Sequence, residues 1–282
     1  MKVLVACDAI AGLSPLDASE VLARSFAEAG ARVAVVGLAD GGSAFAAAVA
    51  RLDGPEIIRP DSDHLDQVLA SPRPGRWLLD LSTTRERDQL PEINAVPGWD
   101  DLVAIVPPMQ DRLALTGLNG AVARTGRERG WDLADTLAAE SAAGEFAGRL
   151  GIDPAAPGSG AGYGWGAAVL AAGGTVSSGV RYLAEAVDLV RTAAQADLII
   201  TGCPRLDDDE AGGVIVNHVV EVSQAQSCPV VVVTGRSFLS ARQLRVLGIE
   251  QAYALLTGPD GIEPSPAQLQ ATADAVARTW RW

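Results

Sequence analysis

Short apolar runs rich in β-branched residues alternate along the chain with longer amphipathic stretches, the pattern of a parallel sheet covered on both faces. Lys2–Cys7 is predicted to be the first strand. A helix is predicted next, with Ser14 as its cap, Pro15 at its first position, Asp17 in its first turn and Gly30 as its stop. Arg32–Leu38 reads as a second strand, Gly41-Gly42 as a turn, Ala44–Arg51 as a helix and Trp77–Leu81 as another strand. The C-terminal third is as regular. Helices are predicted over Val180–Gln195, Val214–Gln224 and Ala241–Leu247, with strands at Leu198–Thr201, Val230–Val233 and Ala252–Leu256 and a last helix capped by Ser265. From about Leu90 to Gly174 the chain is richer in Gly, Pro and loops, which predicts a second lobe over residues 86–174 inserted into a discontinuous domain of 1–85 and 175–282. The expected class is therefore α/β, with a doubly wound, mostly parallel sheet domain and an inserted α/β lobe.

At 282 residues with 48% hydrophobic content the chain can bury cores without covalent staples. Its three cysteines, Cys7, Cys203 and Cys228, form no C-x-x-C pair and sit beside apolar runs, which points to free thiols in a reducing cytoplasm. Asp8 interrupts the opening apolar run, so that run reads as a buried strand rather than a signal peptide. No uncharged stretch is long enough to cross a bilayer, so a membrane is not expected as a partner. A formal net charge of −13, with the cations scattered, makes nucleic acid a poor partner. A small phosphate is still compatible with it, because glycine-rich loops and helix N-termini supply local positive potential.

In open α/β sheets ligands bind beyond the carboxyl ends of the strands. Four predicted strand ends carry a carboxylate: Asp8, Asp40 before Gly41-Gly42, Asp80, and Asp207 after Thr201-Gly202-Cys203-Pro204-Arg205-Leu206. Converging carboxylates could hold Mg²⁺ or accept a hydroxyl proton, whereas one acting alone would cap a helix or shape a turn. The densest glycine segment, Gly158-Ser159-Gly160-Ala161-Gly162-Tyr163-Gly164-Trp165-Gly166, could let amides approach an anion, but it lacks the Lys-Ser/Thr ending of a phosphate loop and reads better as a packed structural loop. The run Asp207-Asp208-Asp209-Glu210 resembles a solvated acidic loop more than a metal site. His64 and His218 have no neighbours that suggest a triad or a zinc site.

Taken in order, the strand-end segments resemble those of the glycerate kinase family. Cys7-Asp8-Ala9-Ile10-Ala11-Gly12-Leu13-Ser14 is similar to that family's P-D-S-F-K-G-S-L, and Ala39-Asp40-Gly41-Gly42-Ser43-Ala44 to its A-D-G-G-E-G. Thr201 to Glu210, followed by Gly213-Val214, is similar to T-G-E-G-R-L-D-S-Q-T and G-K-A-P. Gly117 to Gly126 resembles a relic of G-L-G-G-S-A-T-N-D-G-G. The resemblance implies a two-lobed protein with a cleft, and an ATP-dependent phosphotransferase acting on glycerate or a related hydroxy acid. It implies Asp8, Asp40 and Asp207 as catalytic residues near metal or substrate. It also implies Arg205, Gly41, Gly42 and Gly202 on the substrate, and Gly158, Gly160 and Gly162 on the nucleotide. ATP and Mg²⁺ enter through the resemblance only, no metal ligand set is specified, and a homodimer is a candidate assembly. The departures share a direction: Ala11, Ser43, Cys203, Val214 and Arg124-Thr125 stand where the family has Lys, Glu, Glu, Lys and Asn-Asp. Phosphoryl transfer depends on cations and carboxylates of this kind, so the residues predict weak or lost activity. The alternative expectation is a catalytically silent relative that binds a small anion or a protein partner.

Overall fold

The computed structural model describes residues 1–60, 64–83, 88–257 and 261–281. They divide into two compact units, Met1–Ala39 with Leu183–Trp282, and Asp40–Tyr182. The division falls at 39/40 and 182/183, so residues 40–83 and 175–182, expected with the chain ends, group with the inserted unit, while the expected border at 85/86 itself lies outside the described residues. Strand pairing supplies the reason, because the strands on either side of the expected borders join one sheet.

In the first unit the strands are β1 (Lys2–Val5), β2 (Arg32–Val35), β7 (Leu198–Leu206), β8 (Val230–Ser237) and β9 (Gln251–Ala254). Their order is β2-β1-β7-β8-β9, with every pairing parallel. In the central strands nearly every residue is buried, which explains why they read as continuous apolar runs. One face carries α1 (Pro15–Glu28) and α11 (Pro266–Thr279), whose Leu22, Phe26, Leu269 and Val276 join Val3, Val5, Ile200 and Val233 in one core. Ser14 accepts from the Asp17 N–H to cap α1, and Ser265 and Gln268 form a reciprocal box on α11, as the sequence signals predict. Against the strands also pack α9 (Gly213–Ala225) and α10 (Ala241–Leu247).

Two expectations change here. The helix expected over Val180–Gln195 breaks into α7 (Gly179–Ala186) and α8 (Leu189–Ala193), because Asp188 takes φ 48° and caps α8 through the Arg191 N–H. The strand expected to stop at Thr201 continues to Leu206, since β8 runs alongside it and pairs Cys203 with Thr234 and Arg205 with Arg236.

The second unit holds β3 (Glu56–Ile58), β4 (Arg76–Asp80), β5 (Asp101–Val106) and β6 (Thr175–Ser178), in the order β3-β4-β5-β6 and again parallel. The helices α2 (Gly42–Arg51), α3 (Leu65–Leu69), α4 (Ala121–Arg129), α5 (Leu133–Arg149) and α6 (Trp165–Ala171) complete it. One core places Leu79, Leu102 and Ala104 against Leu65, Leu69, Ala168 and Val169, and a second gathers Val122, Phe146 and Tyr163. The loop-rich texture of residues 90–174 conceals β5 and three helices. The chain is thus a mixed α/β protein, and among the described residues no helix is long and apolar enough to cross a membrane.

Candidate functional site

Parallel pairing in the first unit sets the carboxyl end of β1 beside the middle of β7, which runs on past it to Leu206. The pairing continues past β1, with the Ala6 N–H donating to Ile200 O and the Asp8 N–H to Gly202 O, both at 2.9 Å. Gly202 is needed there, because a Cβ would stand 2.6 Å from the Val233 carbonyl. The Asp8 carboxylate accepts the Ala9 N–H at 2.6 Å, and burial pushes its pKa up. Alternation along β7 sends Cys203 to the face opposite Ile200, where it is fully buried and donates to Thr234 Oγ1 at 3.5 Å. Its thiol is pushed up to about 11, chiefly by burial, with Asp8 and Asp207 adding to the effect. The register sets Asp8 beside the Gly202-Cys203 stretch, whereas Asp207 lies four residues further along, just beyond the end of β7.

At the end of β7 the Arg205 guanidinium stacks over the Phe238 ring at 4.2 Å, and its Nε donates to Asp207 at 2.5 Å. That hydrogen bond is the main reason the Asp207 carboxyl lies below the usual range. The other Asp207 oxygen accepts the N–H groups of Asp209 and Glu210 at 3.3 Å each, and Asp208 accepts from Gln243 Nε2 at 2.6 Å. The acidic run is thereby shaped into a turn, and among the described residues no group of three or more His, Cys, Asp or Glu assembles as a metal site.

Asp40, Gly41 and Gly42 belong to the second unit, where the turn is closed by Asp80. Buried Asp80 accepts the Gly42 N–H at 3.2 Å and Arg59 Nε at 3.3 Å on one oxygen, and the Ser82 N–H and Oγ at 3.1 and 2.5 Å on the other. Arg59 also donates to Gly42 O at 2.9 Å, and a Cβ on Gly41 would overlap Ser82. Asp80 thus serves as a structural brace. The Gly42 amide and carbonyl are both engaged within the turn.

The glycine segment packs as a structural loop. Gly160 N–H donates to Leu113 O, Ala161 N–H to Gly158 O and Gly162 N–H to Gln110 Oε1, at 2.9, 3.1 and 2.9 Å. A Cβ on Gly160 would overlap the Ala114 carbonyl, and one on Gly158 would stand 2.9 Å from Val176. Beside it, a cavity of about 180 Å³ is lined by Gly160, Gly162, Tyr163, Arg124, Thr125 and Arg129, among others. Arg124 pairs with Glu128 at 2.8 Å, and Arg129 pairs with Asp88. Sequence reasoning missed Arg59, Thr234 and Phe238, which no spacing in the chain could have signalled, and Ser82, whose place two residues after Asp80 is the spacing of a local side-chain turn.

Residues 108–281 match the model of the glycerate kinase family. The chain belongs to that family. The match includes the Gly117–Gly126 relic, the glycine segment and the Thr201–Glu210 segment, whereas the two opening segments lie before it. A glycerate kinase of Bacillus cereus is 28% identical over 130 residues, 44% of this chain and 34% of that protein. An uncharacterized protein of Mycobacterium bovis is 36% identical over 101 residues, 36% of this chain and 26% of that protein. The matched segments thus span about a quarter to a third of these curated relatives. A crystal structure of a protein assigned as glycerate kinase 2 from Salmonella typhimurium LT2 shares the fold, with TM-score 0.65 and 17% identity over 99% of this chain and 98% of that one.

The family departures take physical form in the structure. Ala11, where the family has Lys, is buried at φ 56° in a tight turn with Gly12, closed by reciprocal Ile10 and Leu13 backbone bonds. Cys203, where the family has Glu, is the buried thiol. Val214, where the family has Lys, lies half-buried in the first turn of α9.

Proposed function

We propose that this glycerate kinase-family chain binds a small hydroxy acid of the glycerate class at the carboxyl ends of β1 and β7, and has lost most or all phosphoryl transfer from ATP. Arg205, with its side chain 54% exposed at the strand end, offers the planar fork that suits the acid's carboxylate. Asp8, held beside the Gly202-Cys203 stretch, would face the hydroxyl, and Asp207 would hold Arg205 in place. The observation that carries the loss is Cys203: a buried, protonated thiol occupies the family's carboxylate position and can neither hold a metal nor accept a hydroxyl proton at neutral pH. The absence of a lysine at Ala11 and Val214 removes the cations that would stabilise a moving phosphoryl group.

The family suggests ATP as the phosphoryl donor, and the residues present do not fit it well. The Gly160 and Gly162 amides are taken by Leu113 and Gln110, and both Asp207 oxygens are engaged, one with Arg205 and the other with backbone. The free thiols of Cys7 and Cys203 suit a reducing compartment.

Coupled ADP release and calorimetric titration of glycerate test this reading. Turnover is expected at least about a hundredfold below the 1–100 s⁻¹ of ordinary kinases. Glycerate should bind the native chain and fail to bind Arg205→Ala, with melting little changed. Ordinary turnover would refute the loss of transfer, and unchanged glycerate affinity in Arg205→Ala would refute the binding role.

A further inference from the structure

The amino end of the first unit's sheet carries a second feature, unrelated to the strand ends of Asp8 and Asp207. Lys2 and Arg32 open β1 and β2 and are register partners, as are Leu4 and Ala34. Val3 and Val5 belong to the core under α1 and α11, so the period of two puts Lys2 and Leu4, with their partners, on the other face. There they line a cavity of about 340 Å³, walled by Arg191, Thr192 and Gln195 from the α8 segment. That volume lies in the range of small-molecule sites.

The charge of this cavity reverses that of the molecule. The chain carries a formal −13, yet no acidic residue lines the cavity and three basic ones do. Among the described residues Arg191 pairs with Asp188 alone, across an exposed i,i+3 contact of 3.1 Å, an interaction of little strength in water. Among the described residues neither the Lys2 ammonium nor the Arg32 guanidinium has an ion-pair partner. One oxygen of the nearby Asp197 carboxylate accepts the backbone N–H of Lys2, at 2.7 Å. Paired strands lie about 4.8 Å apart, so cations at partner positions can converge on one dianion. Beneath them Leu4 and Ala34 form an apolar floor, which a bare inorganic ion would leave uncovered.

We propose that this cavity binds a small organic phosphate, with Lys2 and Arg32 on the phosphate, Gln195 donating from the wall, and Leu4 and Ala34 under the organic body. It is a ligand site at the end of the sheet opposite to the strand-end chemistry. Adenosine monophosphate serves as the probe, titrated calorimetrically into the full chain and into Lys2→Gln/Arg32→Gln, with inorganic phosphate in parallel. Both side chains are exposed, so the double variant should melt within a few degrees of the native protein. The variant should bind the nucleotide roughly tenfold to hundredfold more weakly, the loss expected for charge-assisted hydrogen bonds. Native chain should prefer the nucleotide to inorganic phosphate. Absence of binding at about 10 mM nucleotide, equal affinity in the double variant, or no preference over inorganic phosphate would each overturn the proposal. Binding of an oligoglutamate peptide without binding of the nucleotide would also overturn it, in favour of an acidic protein partner.

Discussion

A glutamate at Cys203 would place a charge where the thiol now has Thr234 and the Gly212 backbone turn around it and no exposure to water. Restoring the family's acid should therefore fail. Cys203→Glu is expected to destabilise by roughly 3 kcal/mol or more, through overpacking and a buried charge, with no gain in transfer activity. Chemical denaturation and the coupled assay check the two halves. The same burial keeps the native thiol inert, since only thiolate reacts and Cys203 is held near pKa 11. Labelling at pH 7.5 should leave Cys7 and Cys203 unmodified until denaturant is added, and fast labelling of either in the folded chain would contradict their placement.

Asp8 gives a prediction in pH. Its folded pKa is raised by burial, so its penalty on folding is absent below the unfolded pKa, grows as pH rises through the folded value, and is constant above it. Asp8→Asn should raise the melting temperature at pH 7, and that gain should shrink towards zero as pH falls below about 4. A gain independent of pH would show that the carboxylate is not the cause. The places of Asp8 and Asp207 beyond strands were legible from the sequence because they follow apolar runs. Those of Thr234 and Phe238 beside Cys203 and Leu206 were not, because only the pairing of β8 with β7 brings them there.

At the scale of elements, the glycines separate into those that packing requires and those it does not. Gly160 lies where a Cβ would overlap the Ala114 carbonyl, a backbone atom with no easy escape, whereas Gly144 within α5 has nothing within 4 Å. Gly160→Ala should cost about 3 kcal/mol, and Gly144→Ala should stabilise by about 0.5–1 kcal/mol through helix propensity. Urea melts on both variants decide it, and a tolerant Gly160 would reopen the idea that the segment cradles a ligand. The caps Ser14 and Ser265 were readable because each satisfies terminal amides locally, and the structure adds Ser240 as the cap of α10. The length of β7 was not readable, because Pro204 and Arg205 argue for a turn until β8 supplies a neighbour along Cys203 to Leu206.

Across the whole molecule, residues far apart in sequence share one core. Helices α1 and α11 come from opposite ends of the chain, yet they lie together on the first unit's sheet, joined by Ser25 Oγ, which donates to Asp274 at 2.7 Å and accepts from Gln270 Nε2 at 2.9 Å. Fully buried Leu269 is therefore expected to stabilise strands that begin at residue 2. Leu269→Ala should cost about 3 kcal/mol, measured by denaturant unfolding, and a change under about 1 kcal/mol would contradict this packing.

The sequence by itself determined the α/β class, the parallel strands of the first unit, the capped helices and the family, because apolar period, caps and strand-end residues are local properties of the chain. Tertiary structure alone decided which strands share a sheet, since pairing of β4 with β5 rests on hydrogen bonds that no single segment encodes. It also decided the fate of similar carboxylates. Asp80 became a brace because Arg59 and Gly42 arrive from another segment to join its near neighbour Ser82, while the parallel register of β1 and β7 set Asp8 beside the Gly202-Cys203 stretch. Asp207 keeps to local partners, so what separates these carboxylates is which distant groups folding delivers to each.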